Sequence, residues 1–279
     1  IPKHLRLLHV NETGKHNLLN VDESKKNNVA IAVLIDWNIQ KDVKKLMNQL
    51  LPSIEYLDEM NILFFSDIKV TYSVKDKLKK ISKHFLRFIP ITFTFPKNFN
   101  TSIKSPFPKR SKWGYMHMCR FWFKDIWMNP ALKEFKYVLR FDTDSCLVGR
   151  NFSIPNNSSL IYMHHYFTFE FRFITDLRQT ILRYVAKFRT KPKTPGLFKM
   201  IEGGRINCFP MWYNNLEITN IEFMKRPEVR QFMDAIDSTH GQYKYRWGDA
   251  PLRFATIALF APPGTIVQLN FHNNYKHPC

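Results

Sequence analysis

Two acids one residue apart, Asp142 and Asp144, close the apolar run in "YVLRFDTDSCLVG" (residues 137–149) of an otherwise basic chain. Carboxylate oxygens paired in this way suit a hard divalent cation such as magnesium or manganese. A cation held there would neutralise a diphosphate and stabilise it as a leaving group. In a strict strand, residues i and i+2 share a face, whereas a turn after the strand aims both carboxylates at one point. Such a turn also has a plainer use, because aspartates at turns hydrogen-bond their own backbone. Position separates the two readings: beyond the carboxyl end of a buried parallel strand, the acids stand where open α/β sheets bind their ligands.

Three further segments mix polar groups into core-like surroundings. "KWGYMHMCRFWF" (112–123) offers Tyr115 to stack or hydrogen-bond at a nucleotide, and Arg120 to meet a phosphate. A helix start packed on a sheet, with its polar residues satisfied, explains the same letters. "MWYNNLEITNIEFM" (211–224) carries Glu217 and Glu222 among aromatics and aliphatics, where a carboxylate is costly unless paired, hydrogen-bonded or used. The alternative is a surface strand with Glu outward. "YRWGDAPLRF" (245–254) sets Asp249 at a helix start, a place where N-capping alone accounts for it. "NFHNNYKHPC" adds His272 and His277.

The elements that must position these groups follow from hydrophobic periodicity. "NVAIAVLI" (28–35), "NILFFSD" (61–67), "FIPITFTF" (88–95) and "YVLRF" (137–141) are short, largely apolar strands. Between them lie amphipathic segments with Val43, Leu46, Leu50 and Leu51, then Val74, Leu78 and Ile81, on one face each. "CRFWFKDIWMNPALKEF" (119–135) predicts a helix broken near Pro130. Apolar strands alternating with helices imply a parallel sheet covered on both faces, so the first half is Rossmann-like. The second half is less regular: one or two strands over 159–173, helix over 174–188, a loop at "KPKTPG", a helix with Pro227 in its first turn and another opening at Asp249–Pro251. We expect a flexible lead-in over 1–28 and one composite domain over 29–279. Residues 29–150 form its nucleotide-binding half and 151–279 its acceptor-side half.

With 279 residues, 44% hydrophobic and 15% aromatic, the chain can bury a substantial core. No window reaches the roughly 18 apolar residues of a membrane span. The first residue, isoleucine, leads us to expect a trimmed or processed chain. A formal charge of +19 favours anionic partners. The basic clusters at 77–83 and 183–193 read as solvated helix faces, and no nucleic-acid motif accompanies them, so no nucleic-acid partner is expected. Cys119, Cys146, Cys208 and Cys279 lack zinc-site spacing and leave room for one or two disulfides. Sequons at Asn11, Asn100, Asn151, Asn156 and Asn157 lean with them towards the secretory pathway.

Taken in order, "GYMHMCRFW", "YVLRFDTD", "NNLEITNIEFMKRPEV", "YKYRWGDAPLRFATIALF" and "NNYKHP" resemble blocks of the fungal α-1,2-mannosyltransferases, the glycolipid 2-α-mannosyltransferases of glycosyltransferase family 15. The match runs from about Trp113 to Pro278, and Trp-Gly-Asp-Ala-Pro before an apolar helix is its most specific part.

The resemblance implies a GT-A-like fold, with a Rossmann-type mixed sheet flanked by helices. It implies a retaining, manganese-dependent glycosyltransferase that moves mannose from GDP-mannose to a mannosylated glycan, glycoprotein or glycolipid. It also implies the Golgi lumen, with a type II membrane anchor outside this sequence. By motif, Asp142, with Asp144 beside it, and His277 would be metal ligands on the donor side, and Glu217 the catalytic carboxylate. Tyr115 would lie near the donor with Arg120, and Asp249 would serve the active site on the acceptor side beside Trp247. Asp142-Thr143-Asp144 departs from the family's Glu-Pro-x, shortening one ligand by a methylene. A same-fold transferase with another nucleotide-sugar donor, or an inactive carbohydrate-binding descendant, stays open.

Overall fold

The computed structural model describes residues 28–35, 39–103, 113–149, 152, 159–205, 207–269 and 275–279. The expected lead-in, apart from Asn28, lies outside the described residues, as do His272 and every sequon but that at Asn100.

Four strands open the fold: β1 (Val29–Ile35), β2 (Asn61–Ser66), β3 (Phe85–Pro90) and β4 (Tyr137–Phe141). Helices α1 (Ile39–Lys45), α2 (Leu51–Ile54), α3 (Tyr72–Lys80) and α4 (Gly114–Phe123) connect them. β1 shows why. Its Ala30, Ala32 and Leu34 pack into one core, and its Ile31, Val33 and Ile35 into another on the opposite face. A strand buried on both sides needs the continuous apolar run seen in the sequence.

The chain continues through β5 (Cys146–Leu147), β6 (Tyr162–Glu170), α5 (Leu177–Phe188), α6 (Pro195–Glu202) and β7 (Phe209–Asn220). It then forms α7 (Ile221–Lys225), α8 (Pro227–Ser238), α9 (Gly241–Lys244), α10 (Asp249–Phe260), β8 (Ile266–Gln268) and β9 (Tyr275–Lys276). Seven strands form one sheet in the order β3-β2-β1-β4-β7-β6-β8, and β5 pairs with β9. β3, β2, β1 and β4 run parallel, while β7 is antiparallel to both β4 and β6. The α/β class and the mixed, helix-flanked sheet are those expected.

From β1 the chain winds outward through β2 and β3, then returns to add β4 on the other side of β1. In sheets with such a reversal, ligands bind outside the carboxyl ends of the strands on either side of it, here β1 and β4. Asp142 is the first residue beyond β4.

Three elements differ from expectation. The third strand is Phe85–Pro90 rather than 88–95, because its partner β2 stops at Ser66, opposite Pro90. Beyond it, Ile91 N–H reaches the Ser66 carbonyl, Phe93 N–H turns to the Asp67 carboxylate, and pairing ends. The helix expected over 119–135 starts earlier, at Gly114, and gives way after Phe123 to 3-10 turns at Asp125–Met128 and Pro130–Leu132. The loop "KPKTPG" ends in a helix, since Pro195 takes the first-turn position that tolerates its missing N–H.

Gly241 follows α8, and a Cβ placed there would lie 2.2 Å from the ring of the buried Trp247. The Trp247 indole N–H is fixed on the Thr175 carbonyl at 2.8 Å, so the ring cannot easily retreat. Gly241→Ala should therefore cost about 1–3 kcal/mol of stability, read as a lower midpoint in urea. An unchanged midpoint would show that the ring has room to move.

Candidate active site

A buried guanidinium organises the site. Arg140, fourth residue of β4, donates to Asp249 Oδ2 at 2.5 Å through Nη1. Its Nε and Nη2 reach Asp142 Oδ1 at 3.2 and 3.1 Å, and its plane lies 4.3 Å from the Trp122 ring centroid. Asp249 opens α10 without capping it: the N-cap is Gly248, and Oδ2 of Asp249 also accepts from Asn214 Nδ2 at 2.8 Å. The capping role the sequence suggested is thus replaced by a charge pair. Burial works against charge on Asp249, but Arg140 and Asn214 outweigh it and hold its carboxyl below the usual range. Burial pushes the Asp142 carboxyl up, against the opposing pull of Arg140 and His277.

One turn further along α10, Arg253 donates through Nε to Glu217 Oε2 at 3.3 Å, and the Tyr162 hydroxyl donates to the same oxygen at 2.8 Å. Asn214 and Glu217 are three apart on β7, so a regular strand would send them to opposite faces. Both face α10 because the β6/β7 ladder slips between His164 and Tyr166, a bulge that re-aims the side chains on either side of it.

On the other side of Asp142, His277 Nε2 lies 3.6 Å from Asp142 Oδ2 and 3.0 Å from Asp144 Oδ1. Its Nδ1 is 3.3 Å from the Tyr213 hydroxyl. Lys45, at the end of α1, reaches Asp144 Oδ2 at 2.7 Å. His277 first, and Lys45 with it, hold the Asp144 carboxyl well below its ordinary range. The segment carrying His277 is secured by the β5–β9 pair, the Cys146–Cys279 disulfide and the bond from Cys279 N–H to the Asp144 carbonyl. Tyr275 adds a hydroxyl contact to Ser145 and a donation to the Asn215 carbonyl.

Asp142, Asp144, Glu217, Asp249 and His277 are therefore brought together, though they come from four separate parts of the sequence. Arg140, Arg253 and Lys45 are each paired with one or more of these four carboxylates. Among the described residues no three side chains are spaced as a ready coordination shell, since His277 and Lys45 close directly on Asp144. The donor chemistry still fits a divalent cation: two carboxylates and one imidazole.

Two residues singled out from the sequence do other work. Arg120 is not open to a phosphate: it is buried, with Nε and Nη2 on the two oxygens of Asp237 at 2.7 and 3.0 Å and Nη1 on Asp125 at 2.7 Å. Trp247 does not present a ring to an acceptor, being 1% exposed and packed over Gly241. Tyr115 is 39% exposed on α4, and its ring stacks on Arg246, whose other face meets Phe173. Arg140, Asn214, Arg253 and Lys45 were overlooked. The available signal was an arginine inside each of two apolar runs, "YVLRF" and "PLRFATIALF", since a charge in a buried element has to be paired.

A family model described as glycolipid 2-alpha-mannosyltransferase matches residues 18–278. The probable mannosyltransferase KTR3 of Saccharomyces cerevisiae is 31% identical over 182 residues, covering 61% of this chain and 45% of that protein. The glycolipid 2-alpha-mannosyltransferase of the same yeast is 26% identical over 171 residues, covering 59% and 38%. The alignments thus span less than half the length of these two relatives. Among solved structures, the Mn/GDP form of core-mannan synthase A (CmsA/Ktr4) from Aspergillus fumigatus superposes with a TM-score of 0.78 at 18% identity, covering 92% of this chain and 76% of that one. Ktr4p of S. cerevisiae in complex with GDP gives 0.78 at 20% identity, covering 97% and 76%. At such identities the likeness establishes the shared GT-A-like fold.

Arg140→Met should leave Asp249 buried beside an apolar chain and cost about 3–5 kcal/mol, with part regained in Arg140→Met/Asp249→Asn. Urea unfolding of the two variants checks this, and a double variant no better than the single would argue against it. A second expectation concerns Asp125, which burial pushes up to about 6 despite Arg120. A carboxyl that holds its proton more tightly when folded contributes stability that is full below its unfolded pKa, near 3.9, and lost as pH rises through about 6. Relative to the parent, Asp125→Asn should therefore gain stability between pH 4 and pH 7. A difference between the two proteins that stays constant over that range would contradict this.

Proposed function

The chain belongs to the glycolipid 2-alpha-mannosyltransferase family, and on that premise we propose that it is a retaining, metal-dependent α-1,2-mannosyltransferase. Its donor is GDP-mannose and its acceptor a mannosylated glycan. The observation that carries this reading is the meeting of Asp142, Asp144 and His277 at the carboxyl end of β4, with Glu217 and Asp249 joined to them through Arg140. Four of the sequence blocks converge there.

In this reading Asp142, Asp144 and His277 would hold a divalent cation, manganese by preference. When bound, such an ion supplies charge neutralisation on the diphosphate leaving group. Lys45 adds a cation at the same edge. Glu217, fixed through one carboxylate oxygen, places negative charge where positive charge develops on the anomeric carbon. Asp249 and Arg140 form the wall between the two groups and keep the acids apart. The Cys146–Cys279 disulfide supports an oxidising, secretory compartment. Among the described residues no helix is long and apolar enough to cross a membrane.

Purified protein with manganese should turn over GDP-mannose in preference to other GDP- and UDP-sugars. Glu217→Gln should lower transfer by about 100-fold or more while GDP still binds. His277→Ala should raise the manganese needed for half-maximal activity by about tenfold or more. Turnover of another donor would reassign the sugar. No turnover of any donor, with Glu217→Gln indistinguishable from the parent, would favour a carbohydrate-binding descendant of the fold.

A further inference from the structure

Arg253 has no part in the reading above, yet it is the most confined charged side chain of the site. It is fully buried on α10, one turn beyond Asp249. Its Nε meets Glu217 Oε2 at 3.3 Å, its Nη2 donates to the Trp122 carbonyl at 2.8 Å, and its Nη1 lies 3.6 Å from the Met224 sulfur. The Trp127 ring backs the guanidinium with its centroid 4.7 Å away. Each edge of the fork is fixed, so the atom it offers to Glu217 cannot wander.

Among the described residues, the Tyr162 and Arg253 donors to the Glu217 side chain fall on one atom. Tyr162 donates to Oε2 at 2.8 Å from β6, and Arg253 meets the same oxygen from α10. Arg140, the partner of Glu217 across the β4/β7 ladder, feels its charge but gives its hydrogen bonds to other acids, Asp142 and Asp249. His164, the partner of Glu217 on β6, stacks on Trp212. A carboxylate held by two donors on a single oxygen has its plane and its second oxygen oriented. A buried ion pair adds little net stability over a well-packed apolar pair, so its presence here calls for a positional use.

Resting on the proposed transfer reaction, we infer that Arg253, with Tyr162, is a positioning residue that grips Oε2 of Glu217 and thereby presents Oε1 to the reacting carbon of the donor. α10 then engages two of the four acids of the site at once, carrying Asp249 itself and holding Glu217 through Arg253. The cost of losing the grip falls on the chemical step rather than on donor binding, because a small misplacement of a reacting group can lower a rate by about 100-fold while leaving remote binding contacts intact.

The test compares steady-state transfer from GDP-mannose, GDP affinity by calorimetry and thermal unfolding for wild type, Arg253→Met, Arg253→Lys and Tyr162→Phe, each also in the Glu217→Gln background. The expected result is a kcat lowered about 100-fold in Arg253→Met, less in Arg253→Lys and Tyr162→Phe, with KM for donor and GDP affinity within about threefold of wild type. In the Glu217→Gln background the same substitutions should change kcat little, since the group they position is already gone. A purely structural role would lower both backgrounds alike. Should Arg253→Met not fold, Arg253→Lys and Tyr162→Phe decide by the same criterion. Variants that keep kcat within about threefold, or whose losses add fully to that of Glu217→Gln, overturn the inference alone. A wild-type protein that turns over no GDP-mannose overturns the underlying reading and the inference with it.

Discussion

A guanidinium cannot sit in the middle of a sheet without acids around it, and Arg140 sets that requirement for the whole molecule. Its three donor positions reach Asp142 beyond β4 and Asp249 at the head of α10. Through Asp249 it also fixes Asn214 on β7. The turn that carries the acids, the helix that crosses behind the sheet and the antiparallel strand beside β4 are therefore positioned by one charge. Its retention in a site with four carboxylates within a few residues' reach follows from electrostatics, because each acid would otherwise repel the next.

The helix α10 shows how the site and the core share material. Its residues from Pro251 to Phe260 are all buried, so it belongs to the interior throughout its length. Two positions one turn apart, Asp249 and Arg253, interrupt that apolar surface, and each is matched by a partner on β7. A regular strand could not supply both partners from Asn214 and Glu217. The bulge opposite His164 and Tyr166 makes the match possible by moving two residues of unlike parity to one face.

Much of this was legible in the residues. β1, β2 and β4 announce themselves as apolar, β-branched runs, and the helices between them as one-sided patterns. The two aspartates at the end of β4 mark the site by position alone. Other features were hidden because they depend on what a residue meets, which local pattern does not record. Arg120 reads as free for a phosphate, but Asp237, 117 positions away, takes its Nε and Nη2. Trp247 sits in the most distinctive motif of the chain and proves to be a core residue packed on a glycine. Asp249 reads as a helix cap at the level of sequence, but Gly248 takes the N-cap position and the Asp249 carboxylate pairs with an arginine on another element. The third strand was misplaced because strand length is decided by the neighbour's length.

The bonds that build the centre join distant parts of the chain: 99 positions separate Lys45 from Asp144, 109 separate Arg140 from Asp249, and 133 separate the cysteines of the disulfide. Long loops must close before contacts of this kind give anything back, so they are made late as the molecule folds. Closure of these long loops and assembly of the cluster are therefore the same event, and a chain holding only its local structure keeps the acids apart.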